Sequence, residues 1–240
     1  MANYIVATIH PWNIEAFEIY SKKLRGNWHI ITNKDDFTNE VISRINPDYI
    51  FFPHWSWPVP SSIFNNWSCV CFHMTDVPFG RGGSPLQNLI MRGVTKTKVS
   101  ALQMIKELDA GPVYLKYPMD LTGTAESIFK VLSMTVADMI EEIVNTTPKP
   151  IEQSGDLVYF ERRTPEQSLI PSNLAPAELY DFIRMLDAPS YPKAFITHGN
   201  GKLEFSEATL ENGSLTAKVT FNELNIQIDN NSHSQKMDKS

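Results

Sequence analysis

The sequence predicts an α/β fold: a Rossmann-like, mostly parallel sheet with helices on both faces, followed by a small C-terminal α+β subdomain. Three observations predict it. Short apolar runs alternate with helix-like segments up to Phe52, a βαβαβ rhythm that calls for a parallel sheet covered by helices. Residues 124–146 carry the apolar spacing of one long helix. Beyond Glu161 the pattern changes to a helix near 176–186 and several short β segments.

Taken in order, Tyr4–Ile9 is a β-branched run ended by His10-Pro11-Trp12-Asn13. Asn13 is placed to cap a helix running to about Leu24. Trp28–Thr32 is the second strand, 35–46 a helix, and 48–52 the third strand. After the aromatic loop His54-Trp55-Ser56-Trp57-Pro58, a short helix leads to a strand at Cys69–His73. A helix passes through Leu86–Ile90, and strands are expected at Lys98–Met104 and Val113–Tyr117. Pro148-Lys149-Pro150 punctuates the end of the long helix. Four short β segments are expected near 193–198, 202–208, 214–221 and 223–228. The expected domains are 1–160, 161–228 and a disordered polar tail, 229–240.

Composition narrows the classes. The chain has 240 residues, enough to bury a sizeable core, with a hydrophobic fraction of 42% and a charged fraction of 20%. Net charge is −6 without a long run of one sign, which argues against a nucleic-acid partner. No apolar stretch has membrane-spanning length, and the N-terminus lacks the features of a secretory signal, so no membrane partner is expected. The two cysteines, Cys69 and Cys71, are too close on one strand to pair easily, which suits a cytoplasmic setting. Neither GxGxxG after the first strand nor GxxxxGK[ST] is present, so ordinary dinucleotide and P-loop readings lose their main support.

The chemistry concentrates in two segments, Cys71–Pro85 and Ser100–Val113. His73 ends a strand and is followed by a loop holding Pro78, Gly80, Gly82, Gly83 and Pro85, a composition that lets backbone approach a ligand closely. Ligands in open α/β sheets sit beyond the carboxyl ends of strands. Asp109 lies just before Ala110-Gly111-Pro112. His73 and Asp109 on neighbouring loops would form an acid–base pair. A histidine at a strand end also serves packing, and an aspartate before Gly-Pro also starts a turn.

These segments resemble the signature of the folate-dependent formyltransferases: Asn-x-His-x-Ser-x-Leu-Pro, then Arg-Gly and a Pro, then Leu-Asp-x-Gly-Asp. Here His73, Thr75 and Val77-Pro78 occupy the first part, Arg81-Gly82 and Pro85 follow, and Leu108-Asp109-Ala110-Gly111 closes it. Glu161–Ile170 resembles the Arg-x-Pro-Glu-x-Ser-x-Ile linker of long family members, and Tyr191–Phe195 their Pro-x-Pro-x-Ala-Phe stretch. The similarity spans roughly residues 1–205, and two motifs in order are far more specific than either alone.

The resemblance implies a donor, N10-formyltetrahydrofolate, used as co-substrate with no metal. It implies that His73 moves protons or stabilises the tetrahedral oxyanion while Asp109 holds the histidine and also borders the folate. The family asparagine is here Cys71, which shares a face with His73. A thiol is a weak donor, and a missing oxyanion donor costs on the order of 10²–10³ in rate. His54, Gln87, Asn88 or a water would replace it, or His73 would carry more of the load, or the protein would be a weak or inactive relative. A Cys71–His73 nucleophilic pair needs a lowered thiol pKa. Trp55, Ser56 and Trp57 match the loop that covers the pterin. Thr75, Phe79, Arg81, Gly82 and Gly83 are the expected substrate contacts, Arg81 through an anionic group.

The acidic balance and the short segment after Pro150 point the acceptor away from tRNA. The linker resembles that of bacterial enzymes that formylate amino sugars on UDP or dTDP for lipopolysaccharide or flagellar glycans. The expected partner is therefore a nucleotide-linked amino sugar, with a homodimer possible. Methionyl-tRNA formyl transfer, formyl-folate hydrolysis, a dead folate-binding relative and an unrelated α/β nucleotide enzyme are the rivals.

Overall fold

The computed structural model of the chain describes residues 1–189 and 191–223. The expected tail at 229–240 and nearly all of the last β segment lie outside the described residues. The main sheet has β1 (Asn3–Ala7), β2 (Asn27–Ile31), β3 (Tyr49–Phe52) and β4 (Ser68–His73) in parallel. A short β5 (Phe79–Gly82) leaves that sheet. Then β6 (Lys96–Gln103) and β7 (Val113–Asp120) return antiparallel, giving the order β2-β1-β3-β4-β6-β7. The fold class is as expected, a mixed α/β architecture with a mostly parallel central sheet.

The side-chain alternation of the central strands explains the two-sided burial. Tyr4 and Val6 of β1, Phe51 of β3 and Val70 of β4 enter the main core. There they meet α1 (Pro11–Tyr20) and α5 (Ala125–Thr146). Ile5, Ala7, Ile50, Phe52 and Cys69 point the other way, against α2 (Asn39–Ile45) and α3 (Ser61–Phe64). Strands covered on both faces read as continuous apolar runs for this reason. Ile5, Ile50 and Phe51 are fully buried. Each such side chain contributes roughly 1.5–3 kcal/mol of transfer free energy.

Several boundaries differ from expectation for local reasons. The first helix starts at Pro11, where a missing N–H costs nothing, rather than being capped by Asn13. The Asn13 amide instead donates to Thr8 Oγ1 and to the Pro53 carbonyl, joining the ends of β1 and β3. The expected 35–46 helix is a 3₁₀ turn, Lys34–Asp36, followed by α2. The break falls at Thr38, whose hydroxyl caps Val41 N–H.

After α4 (Pro85–Ile90) and α5, β8 (Val158–Phe160) pairs with β5, an association the sequence pattern does not announce. The C-terminal part holds α6 (Pro176–Arg184) and the antiparallel β9 (Ala194–His198), β10 (Gly201–Glu211) and β11 (Ser214–Glu223). β10 runs longer than expected because a bulge between Ser206 and Thr209 lets pairing with β11 continue. Arg184 donates to the carbonyls of Leu121 and Gly123, and Gln87 donates to that of Met185. Phe182, Ile183 and Ala194 belong to the main core, so this part and the large sheet share one interior. No helix among the described residues is long and apolar enough to cross a membrane.

Candidate active site

A cleft of about 910 Å³ opens at the carboxyl ends of the parallel strands. His10 follows β1, His54 follows β3, and His73 is the last residue of β4; all three line it. This is where the strand order places ligands in open sheets.

His73 is buried and its ring is hydrogen-bonded through Nε2. Nε2 donates to the Gly80 carbonyl at 2.7 Å, because a carbonyl only accepts. Gly80 has φ +78°, and a Cβ there would meet Phe160 and Thr75 at 2.7 and 2.8 Å. Only glycine turns that carbonyl onto the ring so closely. In the neutral ring Nδ1 then presents its lone pair to Asp109 Oδ2 at 3.5 Å, and in the protonated ring it forms an ion pair there. Asp109 sits at φ +53°, a conformation that Asp tolerates better than most residues, and its Oδ2 accepts Gly82 N–H at 2.9 Å. Two proton acceptors therefore face each other beyond ordinary hydrogen-bond length, an arrangement completed by one proton.

Cys71, His73, Asp109, Trp55, Ser56, Trp57, Gly82 and Gly83 all line this cleft. Three expected contacts do not. Thr75 is fully buried and its hydroxyl donates to the Gly80 carbonyl, so it holds the loop. Phe79 packs edge-on against Phe160, ring centroids 5.5 Å apart. Arg81 donates twice to Gln153 Oε1, from Nε at 3.0 Å and Nη2 at 2.8 Å, and so turns away from any anionic substrate. Strand β5 and its pairing with β8 turn Phe79 and Arg81 away from the cleft.

The surroundings of Cys71 do not favour it as a nucleophile. It is half-buried at the cleft wall, and burial, then the Asp109 charge, push its thiol far above the ordinary range. A neutral thiol neither attacks nor donates well. Cys71 in the folded protein is accordingly expected to resist iodoacetamide near pH 8, where an ordinary thiol is partly ionised, and to react after unfolding. Mass spectrometry of the Cys71 peptide reads this directly, and rapid labelling of the native protein would refute it.

Among the expected replacements for the family asparagine, Asn88 has its amide donors engaged by backbone carbonyls, and Gln87 directs its amide nitrogen to the Met185 carbonyl. His54 differs. Its Nδ1 is buried with no partner among the described residues, while Nε2 lies 3.2 Å from the Tyr191 hydroxyl. Burial, with the charges of His10 and Arg162, pushes its pKa down to about 3, so the ring is neutral. If Tyr191 donates to Nε2, Nδ1–H is left as a buried donor behind the cleft surface, out of direct contact with a ligand in this conformation. Sequence reasoning did not place Tyr191, His10, Arg162 or Gln153 in the site: Tyr191 and Arg162 stood in stretches marked only by resemblance, and the partners of Gln153 lie far along the chain.

The family described as methionyl-tRNA formyltransferase, C-terminal domain, matches residues 165–222. The methionyl-tRNA formyltransferase of Mesoplasma florum is 28% identical over 188 residues, 75% of this chain and 59% of that protein. The chain thus spans about three-fifths of the length of that relative. A structure of methionyl-tRNA formyltransferase from Clostridium thermocellum is 49% identical, with a TM-score of 0.91, over 93% of this chain and all of that one. A 4-N formyltransferase structure from Francisella tularensis shares the fold, with a TM-score of 0.65 over 93% of this chain and 97% of that one, at 15% identity. These likenesses overturn the expectation of a nucleotide-linked amino sugar and no nucleic acid, because the high identity is to a protein named for tRNA. Net charge misled because it averages the whole surface and does not say where charges sit; Lys106, Arg162 and Arg163 line the cleft beside Glu107 and Asp109. Identity of 49% to the Clostridium thermocellum protein, over 93% of this chain and the whole of that one, means that this chain belongs to the formyltransferase family.

Proposed function

We propose that the chain transfers a formyl group from N10-formyltetrahydrofolate to the amino group of methionyl-tRNA. The observation that carries the chemistry is the pair of facing acceptors, His73 Nδ1 and Asp109 Oδ2, on the wall of the cleft. The attacking amine forms a C–N bond to the formyl carbon and must shed a proton. The gap between Nδ1 and Oδ2 receives it. Breakage of the bond from the formyl carbon to N10 of the folate then returns that proton to N10. Trp55, Ser56 and Trp57 offer the wall for the pterin.

The acceptor is argued from the 49% identical relative and from the C-terminal match. Lys106 and Arg162 at the cleft supply local positive charge where a phosphate backbone would arrive. The test is incubation of the purified chain with N10-formyltetrahydrofolate and charged methionyl-tRNA, following tetrahydrofolate and formylmethionine. Uncharged tRNA and free methionine serve as controls. Formylmethionyl-tRNA is the expected product. Release of formate alone would replace transfer with hydrolysis, and formylation of a different amine would keep transfer but displace the acceptor.

A further inference from the structure

We propose that Gln153 is a positioning residue for Asp109, holding the backbone that aims its carboxylate at His73. Its amide is fully used. Oε1 accepts from Arg81 Nε and Nη2, and Nε2 donates to the carbonyls of Asp109 and Gly111, each at 2.8 Å. Arginine only donates and a carbonyl only accepts, so one orientation of the amide satisfies all four bonds.

Three segments distant in sequence meet at this side chain. The segment carrying Gln153 is pinned by Ile151, which exchanges both backbone bonds with Val113 at the start of β7. The 109–111 turn cannot easily shift toward β6, because a Cβ on Gly111 would lie 1.8 Å from the Gln103 carbonyl. Arg81 is the neighbour of Gly82, whose N–H holds the Asp109 carboxylate. Arg81, Gln153, the Asp109 backbone, its carboxylate and Gly82 thus close a ring of contacts. Neither Arg81 nor Gln153 lines the cleft, so their influence on substrate runs through Asp109.

The kinetic part of this role rests on the transfer reading above; the structural coupling does not. The primary readout is therefore amide hydrogen exchange at Gly82. Gly83 serves as the internal control, since its N–H is held by Phe160 instead. In Gln153→Ala, Gly82 exchange is expected to accelerate about tenfold or more while Gly83 stays near wild type. Gln153→Glu keeps an acceptor for Arg81 but turns an oxygen toward the Asp109 and Gly111 carbonyls. It is expected to deprotect Gly82 at least as much, with a thermal midpoint close to wild type. In both variants kcat should fall about ten- to a hundredfold, the loss expected from a displacement near an ångström, with KM for the folate within about twofold.

Unchanged Gly82 exchange in both variants overturns the proposal whatever the activity. Full rescue by Gln153→Glu also overturns it, because the Arg81 tether would then matter and the Asp109 backbone would not. A wild-type chain that formylates nothing, but whose Gly82 responds to Gln153→Ala, supports the positioning role and sinks only the transfer reading.

Discussion

Replacing His73 by alanine is expected to lower kcat for formyl transfer by about 10²–10⁴-fold, the usual worth of a positioned acid–base group. The loss should fall on kcat more than on KM for the folate, because the ring acts on the proton of the attacking amine. Asp109→Asn makes the sharper companion. Its side-chain oxygen can still accept Gly82 N–H, so the turn is kept. That oxygen takes the place of Oδ2, which also faces His73 Nδ1, so the new amide nitrogen points away from the ring and what the variant loses is the carboxylate's charge. The loop would keep its shape while the base beside the ring is gone. A similar loss of kcat with a thermal midpoint close to wild type is the expected pair of results. Single-turnover rates with denaturation curves measure both. A kcat within about threefold of wild type in either variant would remove the proton-holding role.

Much of the scaffold can be read from the chain because it is written in local periodicity. β1, β3 and β4 are continuous apolar runs between helices that cover both faces, and α5 follows its spacing from Ala125 to Thr146. His73 and Asp109 are legible too, one at a strand end and one before Gly-Pro. What cannot be read is the direction of side chains in the loop between them. Thr75, Phe79 and Arg81 stand among glycines whose positive φ values redirect the backbone, so spacing carries no facing. Their orientation is set by β8, which arrives from far along the chain to pair with β5. Gln153 is invisible for the same reason, being an isolated polar residue until the bridge between Val113 and Ile151 brings it to the 109–111 turn. The acceptor was misread because a sum of charges has no geometry.

Gly82→Ala should cost about 2–4 kcal/mol of stability along with activity. Gly82 has φ +109°, outside the region that L residues tolerate. A Cβ there would lie 2.3 Å from the Phe160 carbonyl oxygen. That oxygen is main chain on β8 and accepts Gly83 N–H, so it cannot swing aside as a side-chain tip would. Either the β5–β8 pair opens or Gly82 moves. If Gly82 moves, its N–H leaves Asp109 Oδ2 and the carboxylate loses its fixed partner. Gly93→Ala separates strain from collision: Gly93 also has positive φ, +70°, but a Cβ there meets nothing within 4 Å. It should cost about 1 kcal/mol and leave kcat alone. Urea denaturation of the two variants, with kcat measured on each, decides the matter. If Gly82→Ala is no less stable than Gly93→Ala and remains active, the close approach of β8 does not hold the catalytic loop.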